Sequence, residues 1–174
     1  MSIKKIIPNT ITSLNLLSGV LVGIFTLEGH IGIAFPLMMA AAVFDFCDGL
    51  AARALDAYSE IGKELDSLAD MVSFGVLPSV MLYKISPEGS WTAFVPLLIA
   101  LMSGLRLARF NVDDRQVTGF IGLATPACAM ICGSLSYFTV AEPGSFVAAW
   151  ASGKVFIPIL SVCLGLLLVS PIPM

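Results

Sequence analysis

The stretch Asp45–Asp70 reads DFCDGLAARALDAYSEIGKELDSLAD, and its reading decides the fold. Asp45, Asp48, Asp66 and Asp70 stand in the pattern D-x-x-D-G-x-x-A-R, eight residues, then G-x-x-x-D-x-x-x-D. Long apolar runs flank the segment on both sides. A carboxylate at membrane depth costs on the order of 3 kcal/mol or more unless something compensates it. Four such groups on neighbouring helices point to a cation site as the compensation.

The rest of the chain says membrane. Of its 174 residues, 57% are hydrophobic and 12% charged, and the mean hydropathy is +0.95. An ordinary soluble domain carries roughly 25% charged residues. Uncharged runs cover Ile6–Leu27, Gly89–Leu105, Gln116–Ala141 and Val155–Met174, each long enough to cross a hydrocarbon core. Gly29–Phe44 and Met71–Tyr83 are shorter and become spans only when the aspartate segments complete them. The expectation is one all-α membrane domain over residues 1–174. It has six transmembrane helices, near 8–28, 31–55, 62–84, 91–109, 118–140 and 154–172. Backbone satisfaction in lipid favours helices, and the segments lack the alternation of barrel strands.

Lys4 and Lys5 precede the first apolar run, but no small-residue cleavage site follows, so it reads as a retained helix. The chain stops at VSPIPM without a polar tail, as a truncated sequence would. With six spans, one side holds Lys4, Lys5, Arg53, Lys63, Arg106, Arg109 and Arg115, and the other holds Lys84 and Lys154. The positive-inside bias places both termini and the aspartates at the cytoplasmic face of a cell membrane. Cys47, Cys128, Cys132 and Cys163 form no C-x-x-C pair and read as small packing residues, not as a zinc site. No nucleic-acid partner is expected.

Asp45 and Asp48 are three apart, and Asp66 and Asp70 four apart, so each pair shares a helix face. The turn between them is short, the helices are antiparallel, and the four carboxylates meet in one cluster. All-oxygen ligation suits Mg²⁺ or Mn²⁺, with Ca²⁺ also accommodated. Two ions on four carboxylates clamp a diphosphate and favour its displacement. Gly49, Ala52 and Gly62 leave a bare helix surface for close approach of a ligand, and Arg53 beside them suits a phosphate. Arg106 and Arg109, with Asn111 just beyond, suit an anionic group. Thr118, Thr125 and Ser73 are further hydroxyl candidates. In IPNTITSLN, Pro8 to Thr12 read as a helix start with Asn9 or Thr10 as cap. His30 reads as a surface residue, Trp91 and Trp150 as interfacial anchors, and Pro36 and Pro96 as kinks within spans.

The aspartate pattern resembles the signature of the CDP-alcohol phosphotransferases at every specified position: Asp45, Asp48, Gly49, Ala52, Arg53, Gly62, Asp66 and Asp70. That resemblance implies transfer of a phosphatidyl-type group from a CDP-linked lipid to an alcohol, with release of CMP. It implies that all four aspartates contact metal and that Asp70 also takes the acceptor's proton. Contacts to CDP fall on Asp48, Gly49, Ala52, Arg53, Gly62 and Asp66. A Pro-Asn-x-x-Thr stretch like that of the family adds Asn9 and Thr12 for the cytidine. Family members resemble homodimers.

Three segments are similar to the membrane-embedded, serine-accepting members of that family: DSLADMVSFGVLPS, GLRLARFNV and GFIGLATPACA. The last has Ala124 where proline is usual. They imply CDP-diacylglycerol as donor and L-serine as acceptor, with Arg106, Arg109 and Asn111 holding the acceptor or a phosphate. Glycerol phosphate or inositol phosphate would need a further basic pocket. An ion-coupled transporter would continue its charges across the bundle and show inverted repeats, and neither pattern is present.

Overall fold

A computed structural model describes residues 3–112 and 122–172. Those residues form helices and turns, with no strand among them. Among the described residues, four helices are long and apolar enough to cross a membrane: α1 (Lys4–Leu27, extended to Ile3), α2 (Ile31–Ala54), α3 (Glu60–Ile85) and α4 (Trp91–Val112). Two shorter apolar helices follow, α5 (Thr125–Ala141) and α7 (Phe156–Val169), with the short α6 (Phe146–Ala151) between them. The architecture is that of a multi-pass membrane protein. Many large apolar side chains face outward, among them Leu17, Val43, Phe46, Leu101 and Leu166, as lipid-facing positions do.

The buried stripe of α2 explains where the acids go. Ile31, Ala34, Met38, Ala41 and Asp48 are its buried residues, and half-buried Asp45 fills the gap in the same three-four spacing. The aspartates therefore continue the packing face of the helix, while Phe46 beside them is 64% exposed. The helix closes over Leu55–Ser59, where Asp56 takes a positive φ of 47°. Aspartate tolerates that conformation better than most residues. Ser59 caps α3 by accepting the Gly62 N–H at 3.1 Å, with Glu60 in the first turn.

Directly after Asp70, α3 widens into a π-helical segment over Met71–Val76 before returning to α-helix. Pro78 follows, lacking an N–H to donate into the preceding turn. Ser73, Phe74 and Gly75 in this segment are buried. Ser73 Oγ donates to the backbone oxygen of Asn15 at 3.2 Å, joining α3 to α1. Gly19 makes the approach possible, since a Cβ there would collide with Ser73 Oγ.

Two apolar clusters fill the interior. One gathers Val22, Met38, Ala41, Phe74, Met81 and neighbours from α1, α2, α3 and α5. The other gathers Leu82, Ile99, Cys128, Cys132, Ile157, Leu164 and neighbours. Cys128 and Cys132 pack as expected, whereas Cys47 is half-buried and Cys163 exposed.

Several expectations need correction. Asn9 and Thr10 do not cap a helix start: α1 begins at Ile3 and runs through Pro8. The Thr10 and Thr12 hydroxyls instead donate back to Ile6 O and Pro8 O, because Lys4–Ile7 are already helical. Pro96, by contrast, stands inside the α4 span as expected, at the join where a 3₁₀ turn over Trp91–Phe94 gives way to α-helix from Leu97. The fifth and sixth segments are shorter than expected, 17 and 14 residues. Thr118 and Arg115 lie outside the described residues.

Candidate active site

The antiparallel α2–α3 pair brings the acids together. Asp45, Asp48 and Asp66 each place a carboxylate oxygen within 4.8 Å of the others. Asp70 lies outside that triad, with its carboxyl facing Asp45 at hydrogen-bonding range. Asp48 is the most buried, at 5% exposure, and the Thr12 side chain faces it from α1. Among the described residues, Asp48 Oδ2, Asp66 Oδ1 and Asp70 Oδ1 are buried without a hydrogen-bond partner. Buried acceptors are costly when unpaired, by about 1–3 kcal/mol each and more for charged groups. Unpartnered oxygens converging from two helices fit a divalent cation with oxygen ligands.

Beside the triad opens a cavity of about 830 Å³, a volume suited to a nucleotide-sized ligand. Asn9, Thr12, Asp48, Gly49, Ala52, Arg53, Gly62 and Asp66 all line it. Asp48 and Asp66 belong both to the cavity wall and to the carboxylate triad. At Gly62 a Cβ would stand 3.0 Å from Asn9 Oδ1 and from Ser59 Oγ. A side chain there would push into the wall, so the bare glycine keeps α1 and α3 close while leaving the cavity open. Arg53 lies along α2, its Nε donating to Gly49 O at 3.0 Å.

Tyr58, Ser59, Lys63 and Phe110 also line the cavity, and sequence reasoning did not single them out for this role. Lys63 was legible as the neighbour of Gly62. Phe110 arrives from α4 and depends on tertiary packing alone.

The three residues expected to hold an anion separate. Arg106 is half-buried. It donates from Nη1 to Thr125 Oγ1 at 2.8 Å, keeps a buried Nε without a partner among the described residues and lies in the electrostatic range of Asp70. Arg109 turns away, its Nη1 reaching Val169 O on α7 at 3.5 Å. Asn111 is tied to the start of α3: its Nδ2 donates to Ser67 Oγ at 2.9 Å, and its backbone oxygen accepts from Lys63 Nζ at 3.1 Å. None of the three lines the cavity. Ser73 bonds to α1 rather than facing it.

The sequence matches the family model described as CDP-alcohol phosphatidyltransferase over residues 5–169. Curated relatives bear related names. A Mycobacterium tuberculosis protein named CDP-diacylglycerol–serine O-phosphatidyltransferase is 37% identical over 98% of this chain and 61% of its own length. A Bacillus subtilis protein of the same name is 38% identical over 75% of each chain. An archaetidylserine synthase of Methanothermobacter thermautotrophicus is 36% identical over 77% of this chain and 61% of its own. The chain thus spans about three-fifths of the length of the mycobacterial relatives. A match over nearly the whole sequence, on the helices that build the carboxylate triad and its cavity, makes the chain a member of the CDP-alcohol phosphatidyltransferase family.

Proposed function

We propose that this protein transfers the phosphatidyl group of CDP-diacylglycerol to the hydroxyl of L-serine, giving phosphatidylserine and CMP. The observation that carries the reading is that Asp48 and Asp66 are shared by the nucleotide-sized cavity and the carboxylate triad. A diphosphate lying between them has its nucleotide in the cavity and its lipid-side phosphorus toward Asp45 and Asp70. The names of the relatives support serine as acceptor.

Asp45, Asp48, Asp66 and Asp70 would hold Mg²⁺ or Mn²⁺, two ions in all, and the metal would supply charge neutralisation on the diphosphate. The chain's own groups do the rest. Asn9, Thr12, Gly49, Ala52 and Gly62 shape the nucleotide half of the cavity, and Arg53 and Lys63 add positive charge at its wall. Asp70 takes the proton of the serine hydroxyl as its oxygen attacks the lipid-side phosphorus. The bond from that phosphorus to the bridging oxygen breaks, and CMP departs with the oxygen. Arg106, steadied by Thr125 and near Asp70, suits the serine carboxylate. Arg109 and Asn111 act from outside the cavity, securing the end of α4 that supports this pocket. Six spans, termini and active site on the cytoplasmic side of the cell membrane, and a homodimer complete the proposal; the sidedness of the basic residues supports the orientation.

The test is CMP release by purified protein given CDP-diacylglycerol and Mn²⁺ with serine, glycerol 3-phosphate or inositol phosphate. Release that depends on serine is expected. Release with a phosphorylated alcohol and none with serine would overturn the acceptor assignment, and none with any alcohol would overturn the reaction.

A further inference from the structure

Asn15 has no part in the aspartate signature or the cavity, yet it occupies an exceptional position. It is 0% exposed, and both its amide atoms, Oδ1 and Nδ2, are buried without a hydrogen-bond partner among the described residues. Burying both unpaired is costly, whereas leucine at the same position would carry no such cost. Its surroundings are fixed by three contacts. Thr12, one turn earlier on α1, faces Asp48. Asn15's own carbonyl accepts from Ser73 Oγ, and Ser73 follows Asp70 by three residues. Gly19, one turn later, lies against Ser73.

These contacts set a register. α1 and α2 are consecutive, joined by the tight turn at Glu28–His30, and run antiparallel. Three residues forward from Thr12 on α1 is therefore level with three residues back from Asp48 on α2. Asn15 is level with Asp45, and through Ser73 it is within one turn of Asp70. The amide and the Asp45–Asp70 pair, including the orphaned Asp70 Oδ1, occupy the same layer of the bundle.

The geometry points to Asn15 as a positioning residue that orients the Asp45 and Asp70 carboxylates from the α1 side, its Nδ2 donating to a carboxylate oxygen when the pair is engaged by a divalent ion. The inference rests on the proposed metal site but not on serine as acceptor. Partners of this kind typically change metal affinity 10–100-fold when removed.

The test compares wild type with Asn15→Leu, which keeps volume and removes the amide, and with Asn15→Ala should the leucine variant not fold. Thermal stability without metal should be unchanged or raised in Asn15→Leu. Mn²⁺ affinity, read by calorimetry without any substrate, should weaken at least tenfold. In the turnover assay kcat should fall while KM for CDP-diacylglycerol stays within about twofold. Wild-type Mn²⁺ affinity in a folded variant would overturn the positioning role. Failure of the proposed reaction would appear separately, as absent turnover in wild type beside a measurable Mn²⁺ affinity that still responds to Asn15.

Discussion

The two halves of the α2–α3 pair use one packing register for opposite ends. Toward the Glu28–His30 turn, the buried stripe is Ile31, Ala34, Met38 and Ala41, packed with Phe74 and Met81 into a filled core. Toward the Leu55–Ser59 turn, the same stripe continues as Asp45 and Asp48, faces Asp66, and borders a cavity of about 830 Å³. The first half satisfies itself by close packing. The second leaves buried oxygens without partners and space beside them. A helix interface that contradicts its own packing logic over two turns marks where a ligand completes it.

The contrast can be broken by experiment. The largest effect belongs to the ion: EDTA should reduce turnover to background, and added Mn²⁺ should restore it, measured as CMP release. Asp70→Asn should follow, with kcat lowered about 10³-fold and thermal stability unchanged or raised, since one charge is removed from a buried cluster of like-charged carboxylates. Loss of stability in step with activity would make Asp70 a packing residue instead. Gly62→Ala is smaller and separates cavity from fold. The added methyl stands 3.0 Å from Asn9 Oδ1 and Ser59 Oγ, so KM for CDP-diacylglycerol should rise about tenfold. Helix propensity meanwhile favours alanine by about 1 kcal/mol. The smallest effect on turnover belongs to the filled half. Met38→Ala opens a cavity at a fully buried side chain and should cost about 2 kcal/mol of stability, while kcat of the folded variant in the proposed reaction stays within about twofold.

The aspartates, the small residues around them and Arg53 were legible because their spacing matches one helix turn, and one turn is local. Asn9 and Thr12 were legible as cavity candidates only through resemblance, since spacing alone suggested a cap that α1 does not use. The π-helical segment after Asp70 was not legible: MVSFGV carries no local signal for an i→i−5 bond, and the widening arises where Ser73 and Gly75 meet α1 and α4. Phe110 was missed for the same reason, being brought to the cavity by the packing of α4 along α3. Arg106 and Arg109 look alike in sequence. They part because Thr125 captures one and the end of α7 the other.

The most direct measurement is incorporation of labelled serine into lipid by protein reconstituted in vesicles with CDP-diacylglycerol and Mn²⁺. The account predicts incorporation that requires both the donor and the ion, and that falls about 10³-fold in Asp70→Asn. Absence of incorporation by wild type, or full activity in the variant, would contradict it.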